Sequence, residues 1–244
     1  VQGRPLTHAA AHDRISAEIA LAADASDVLV VSNRDAKYFE MAGHRTHILS
    51  HSIEVRRSAP DADRRHGLLF VGALHPDTPN EDGLLWFIDE VMPLLRRRMP
   101  TPPVLSVVGV CTSHKVAAMA GADIAILGPQ DALEPHYDAA RVFVAPVRFA
   151  GGVPAKVIEA VAAGVPTVAS ALLVRQLDWR DGMDIRGAKD AEGFASHIAA
   201  LLGDDQAWQR QQLAGWGQCE QRYDAQKFVS TLRGVLATLP AVDA

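Results

Sequence analysis

From residue 67 onward, short aliphatic and β-branched runs alternate with amphipathic stretches. The strand candidates are 68–72, 104–110, 124–127, 142–145 and 167–169. Each is a near-continuous apolar run, as expected of strands buried on both faces of a parallel sheet. Helix-like segments lie between them at 84–98, 114–120, 132–139 and 155–163. This alternation builds right-handed βαβ units and predicts an α/β fold, a Rossmann-like doubly wound parallel sheet. A short last strand at 183–185 precedes three helical stretches at 191–202, 205–220 and 225–236.

The first 57 residues read differently. Segment 15–23 is apolar on one face, 28–31 and 47–49 read as strands, and 34–41 reads as a helix. Two βα pieces are too few for a sheet of their own, and strands without neighbours leave backbone groups unpaired. Residues 1–57 are therefore expected to close a second, partial Rossmann-like domain, and the chain, which opens on Val1 rather than Met, is expected to be trimmed. Residues 58–66, inside a charged stretch with Pro60, are the expected linker.

Composition changes this picture little. The 244 residues are 48% hydrophobic and 22% charged, which is ordinary for a globular chain. A net charge of −5 offers no footprint for nucleic acid or an anionic membrane. Cys111 and Cys219 are far apart and lack metal-like spacing, which points to a reduced, cytoplasmic setting. No apolar run reaches the roughly 20 residues of a membrane span.

In an open parallel sheet, ligands bind beyond the carboxyl ends of the strands where strand order reverses. With the common 3-2-1-4-5-6 order, that point falls between the strands at 68–72 and 142–145. The second of these runs into Pro146-Val147-Arg148-Phe149-Ala150-Gly151-Gly152-Val153-Pro154 and then a helix. Gly151 and Gly152 let backbone approach a ligand, and the free N–H groups of the helix start favour a phosphate. Lys156 in that first turn opposes the helix dipole unless an anion is bound. Glu159, one turn on, suits the two hydroxyls of a ribose. Alternatively, Lys156 and Glu159 form an i,i+3 ion pair on a solvated face. The first strand exits through Gly72, Ala73, Leu74 and His75 to Asn80, with neither a dinucleotide fingerprint nor a P-loop. His75 and Asn80 face the same crevice or cap the next helix.

These residues resemble a known family. Phe70-Val71-Gly72, His75, Pro79-Asn80 and 82–87 are similar to the start of the donor domain in family 1/family 4-type glycosyltransferases. So are 128–137, Ala145-Pro146, 156–160 and 164–169, and the likeness covers about 68–236. It implies a GT-B fold, with two Rossmann-like domains and the substrate cleft between them. Residues 67–222 would then be the nucleotide-sugar donor domain, and 223–244 a helix bracing the acceptor-side domain. It also implies a nucleotide-diphosphate sugar as donor substrate, no cofactor and no obligatory metal. Glu159 matches the residue holding the donor ribose. Gly72, His75, Arg148, Gly151, Gly152 and Lys156 would serve the diphosphate and sugar. Gly128, Pro129 and Leu133 would flank the base.

The chain departs from the family pattern at three places. Gly151 stands where many members carry the first of two glutamates. Ala73 replaces an arginine, and Glu81 and Asp82 lie near the usual position of a lysine. Arg148 and Lys156 are left to supply the positive charge.

The function expected is retaining sugar transfer to a carbohydrate or lipid-linked acceptor. The catalytic residue stays unassigned, and the full-length protein would be cytoplasmic or membrane-peripheral. A non-catalytic nucleotide-sugar-binding or scaffolding domain is the alternative, and a nucleotide-sugar epimerase is a further one. Self-association through the N-terminal side is expected if that side exposes apolar surface. Asp61-Ala62-Asp63 has a metal-binding form but sits in the linker. His44, His47 and His51 lack an acidic or cysteine partner in sequence.

Overall fold

A computed structural model of the chain describes residues 8–238. It contains two compact units, one of residues 55–220 and one built from the described parts of 4–54 and 221–244.

The smaller unit begins with α1 (His8–Leu21), β1 (Asp27–Val30), α2 (Asn33–Met41) and β2 (Arg45–Ile48). Ser32 caps α2 by accepting the Asp35 N–H at 3.1 Å, satisfying a donor that has no partner within the helix. Contrary to the expectation that these pieces cannot form a sheet, β1 and β2 pair in parallel from Asp27↔Arg45 to Val30↔Ile48. A crossover helix of this length brings the strands side by side, so each supplies the partners the other lacks. A side-chain clasp reinforces the pair. Asp27 on β1 accepts from Arg45 at 2.5 and 2.6 Å, and His47 Nε2 lies 2.6 Å from the same carboxylate.

The larger unit runs through β3 (His66–Val71), α3 (Pro79–Trp86), α4 (Met92–Arg98), β4 (Leu105–Val108), α5 (His114–Ala117) and β5 (Ile124–Gly128). It continues with α6 (Glu134–Ala139), β6 (Ala140–Ala145), α7 (Ala155–Ala162), β7 (Thr167–Ser170), α8 (Ala171–Leu177), β8 (Arg186–Ala188), α9 (Ala191–Gly203) and α10 (Asp205–Tyr223). The boundary between the units falls in the last turn of α10. Helix α11 (Ala225–Thr238) belongs to the smaller unit, where the Ile53 N–H donates to the Tyr223 carbonyl at 2.9 Å.

The sheet of the larger unit is six-stranded and wholly parallel, in the order β5-β4-β3-β6-β7-β8. This is the doubly wound order the alternation predicts, and the reversal lies between β3 and β6. Leu68 and Phe70 of β3 and Val142 and Val144 of β6 pack into one core with Phe87, Phe194 and Trp208. Each such buried side chain contributes roughly 1.5–3 kcal/mol.

Four local features differ from the pattern reading. The helix expected from residue 84 starts at Pro79, because Thr78 accepts the Glu81 N–H and Glu81 reaches back to the Asp77 N–H at 2.7 Å. That helix is also interrupted. Residues Phe87–Val91 form a π turn before Pro93, whose missing N–H breaks the i→i−4 ladder. The strand expected at 183–185 is displaced to β8, because 181–185 turn instead. Gly182 has a φ of 78° and bonds Ile185 O at 2.8 Å, while Asp184 folds inward onto Arg180 at 2.6 Å. Helix α8 was not foreseen. Ser170 caps it by accepting the Leu173 N–H, a start signal hidden at the end of an apolar strand.

The stretch 58–66 is tightly held. Arg65 is 1% exposed and donates to Pro60 O at 2.8 Å, Tyr137 O at 2.6 Å, Ala140 O at 3.2 Å and Ala163 O at 3.3 Å. Arg141 donates to Ala62 O at 2.7 Å and to Leu201 O at 3.1 Å. Both guanidiniums lie over the Trp208 ring, at 5.4 and 5.9 Å from its centroid. A segment with Pro and four charges reads as a linker in sequence, yet here it is anchored by the stem and head of one buried arginine.

Candidate functional site

Two chain segments leave the sheet at the strand-order reversal. After β3, the Gly72 N–H donates to Val108 O at 2.9 Å. Gly109 has a φ of 134°, and a Cβ there would run into the Gly72 carbonyl. The exits of β3 and β4 therefore touch backbone to backbone, which only glycine at 109 permits. Asn80 Nδ2 donates to Ala73 O at 3.0 Å and holds this loop closed. His75 Nδ1 lies 2.8 Å from Thr112 Oγ1, with the ring exposed. Thr78 rather than Asn80 or His75 caps α3, and these two side chains tie the loop to Ala73 and Thr112.

After β6, residues 146–154 are pinned from both sides. Ser170 Oγ donates to Val147 O at 2.6 Å, and Gln176 Nε2 donates to Ala150 O at 2.8 Å. Gly151 and Gly152 point into open space, where a Cβ would meet nothing within 4 Å. Gly152 has a φ of 78°, so conformation rather than crowding selects it. Helix α7 then begins with no acid in its first turn and no side-chain cap on its N–H groups. The Ala155 and Val157 N–H groups bond Val153 O and Pro154 O, at 2.9 and 3.0 Å, and the helix start carries a partial positive charge.

The charged residues predicted for this region all come with partners. Lys156 Nζ lies 3.0 Å from Glu159 Oε2, the i,i+3 pair of the alternative reading, with the side chains 49% and 37% exposed. Arg148 makes a two-pronged pair with Asp82, Nε at 2.9 Å and Nη2 at 2.6 Å, and its guanidinium lies 5.7 Å from the Trp86 ring centroid. Asp82, noted in the sequence only as an acid near the usual position of a lysine, is therefore Arg148's direct partner.

Tyr137 of α6 is a buried phenol whose hydroxyl has no hydrogen-bond partner, and its pKa is pushed well up by burial and then by the Glu159 carboxylate. Leu133 accepts the His136 and Tyr137 N–H groups at 3.0 Å and so starts α6. Gly128, at the end of β5 with a φ of 70°, accepts the Gly109 N–H at 2.9 Å, and Pro129 follows it on the surface. The three base-flanking candidates thus lie on the connection from β5 to α6.

Half-exposed ion pairs are worth about 0–1 kcal/mol, whereas hydrogen bonds to charged groups are worth roughly 1.5–3 kcal/mol. The Lys156–Glu159 pair is of the weakly held kind.

Among the described residues, no group of three or more His, Cys, Asp or Glu is arranged to hold a metal. His47 is engaged by Asp27, and Asp61 and Asp63 lie at a 3-10 turn over Ala62–Arg64. No helix of the described residues is long and apolar enough to cross a membrane.

A family model, glycosyl transferases group 1, matches residues 65–204. A comparison with curated proteins found no match. Among solved structures, the chain is similar to HepE of Anabaena in complex with UDP and glucose. The TM-score is 0.72 at 15% identity, over 93% of this chain and 67% of that one. It is similar to a TarM mutant of S. aureus in complex with Fondaparinux, alpha-GlcNAc-glycerol and UDP. There the TM-score is 0.79 at 13% identity, over 96% of this chain and 49% of that one. Sucrose-phosphate synthase of Thermosynechococcus elongatus gives 0.70 at 19% identity, over 93% and 61%. The chain thus spans about half to two thirds of these relatives, and the likeness shows a GT-B-type Rossmann-like fold.

Proposed function

Because the chain belongs to the glycosyl transferases group 1 family, we propose that it is the donor-binding part of a sugar transferase. The donor is a nucleotide-diphosphate sugar, seated where β3 and β6 part. One observation carries the reading: the start of α7 follows a glycine loop at the strand-order reversal and bears Lys156 and Glu159. In support, structures of HepE include a complex with UDP-glucose.

Each residue then has a task in a transfer that proceeds with retention. The α7 N–H groups and Lys156 face the diphosphate, where negative charge grows as the sugar leaves. Such preorganised dipoles cost no reorganisation during the reaction. Glu159, released by Lys156, accepts from the two ribose hydroxyls. Gly151 and Gly152 leave room for the sugar. Gly128, Pro129 and Leu133 border the base, and Gly72 and His75 close the β3 side. The acceptor is a carbohydrate or a lipid-linked sugar.

Titrating the chain with UDP, GDP and ADP while recording amide NMR shifts tests the assignment. The expected result is that at least one diphosphate perturbs residues 151–159. Shifts confined to other regions, or none, overturn it. The alternative of a binding domain without catalysis has one observation in its favour, namely that both cations of the crevice are already paired. It predicts the same shifts but no sugar transfer from labelled nucleotide sugars by the full-length protein.

A further inference from the structure

We propose that Asp82 and Trp86 are positioning residues that hold the Arg148 guanidinium with its outer edge turned toward the donor diphosphate. This rests on the donor reading above and adds to it a part for an acidic residue that, on charge alone, would repel the ligand.

Three observations meet here. Asp82 takes Nε and Nη2 of Arg148, the side edge of the guanidinium, at 2.9 and 2.6 Å. A guanidinium has five N–H donors in a planar fork, so its end edge, Nη1 with the second hydrogen of Nη2, is left for another bidentate anion. Trp86 covers one face of the same group at 5.7 Å, which fixes the plane of the fork. Finally, Gly83 brings α3 against the β6 exit. A Cβ on Gly83 would lie 2.7 Å from Pro146 O, so the close approach that lets Asp82 reach Arg148 requires glycine there. Arg148 lies in the segment leaving β6, and Asp82 and Trp86 lie on the helix that follows β3. The pair therefore bridges the two segments that border the crevice.

A surface ion pair alone would need none of this. A long arginine side chain loses rotamer freedom on being fixed, which usually cancels most of what an exposed pair gains. Here the ordering is complete before any ligand arrives, so an anion meeting the free edge does not bear that cost.

The sign of one substitution decides the matter. Asp82→Asn removes a negative charge beside the site, and through-space electrostatics alone predicts tighter diphosphate binding. Positioning predicts weaker binding. The chain and its D82N, R148K and D82N/R148K variants are titrated calorimetrically with UDP, GDP and ADP. The tightest of these is then compared with its own nucleoside. We expect D82N to weaken the diphosphate about fivefold, equivalent to about 1 kcal/mol, with the nucleoside unchanged. R148K should weaken the diphosphate at least as much, and the double variant should be no worse than R148K. Unchanged or tighter diphosphate binding by D82N overturns the proposal, as does an equal loss for nucleoside and diphosphate, which would mark general damage. If the parent chain binds diphosphate no better than nucleoside, the donor reading falls with it. If the parent discriminates but the two substitutions add independently, only this inference falls.

Discussion

Arg141 begins the second position of β6, and Arg148 follows the strand's last residue by three positions. The same strand thus carries an arginine near each end, in opposite surroundings. At the amino end, Arg141 and the nearby Arg65 are buried against Trp208, and they spend their donors largely on backbone carbonyls. At the carboxyl end, Arg148 and Lys156 are half exposed, and each is matched to a single carboxylate. A carbonyl partner cannot be exchanged without unfolding, whereas a half-exposed carboxylate partner can be traded for an anion. The difference separates charges that fix the fold from charges that remain available for a ligand.

The largest effect should come from the buried end. Arg65→Met leaves the carbonyls of Pro60, Tyr137, Ala140 and Ala163 without this donor. A loss of about 3–5 kcal/mol is expected, read as a fall in urea midpoint. A midpoint within experimental error of the parent would break the comparison, because Arg65 would then resemble Arg148. Second comes Gly109→Ala, where a φ of 134° and the Gly72 carbonyl both resist a side chain. Strain of this kind costs about 1–3 kcal/mol. Thermal unfolding should fall accordingly, together with diphosphate affinity, since the exits of β3 and β4 must separate.

At the available end, stability and binding should come apart. Glu159→Gln should weaken nucleotide diphosphates by about tenfold through the lost charge-assisted acceptor, equivalent to about 1.4 kcal/mol. The melting temperature should stay within about a degree, because an exposed i,i+3 pair contributes only a few tenths of a kcal/mol. Equal affinity of variant and parent would return Lys156 and Glu159 to a plain surface pair. The smallest effect concerns the clasp of β1 and β2. The hydrogen bond from Arg45, then that from His47, holds the Asp27 carboxyl down at about 2. A carboxyl lowered from its ordinary value near 4 stabilises the fold above that value and loses the contribution as pH falls toward 2. Amide exchange in β1 should therefore quicken between about pH 4 and pH 2, and Asp27→Asn should flatten that dependence. An unchanged profile in the variant would show that the clasp is not the cause.

Much of this was legible in the chain. The strands of the larger sheet follow from continuous apolar runs, since burial on both faces leaves no polar position to blur the signal. The order of βα units gave the location of the crevice, because handed crossovers leave few ways to lay such strands down. Gly151, Gly152, Lys156 and Glu159 were identified by their place after β6. The failures share a cause. Strand β8 and the π turn before α4 depend on how a turn closes around Asp184 and on one absent N–H at Pro93, which outweigh local pattern. The stretch 58–66 has the composition of a linker, and only packing shows that Arg65 anchors it.

Sequence by itself determined the class of fold and the reversal of strand order, because hydrophobic period and chain handedness are local properties carried along the chain. Only the tertiary structure decided which charges face each other. Asp82 and Arg148 are 66 residues apart in sequence, and Arg65 and Ala163 are separated by 98. No periodicity records such a pairing, and that of Asp82 with Arg148 arises where Gly83 lets α3 approach the β6 exit closely.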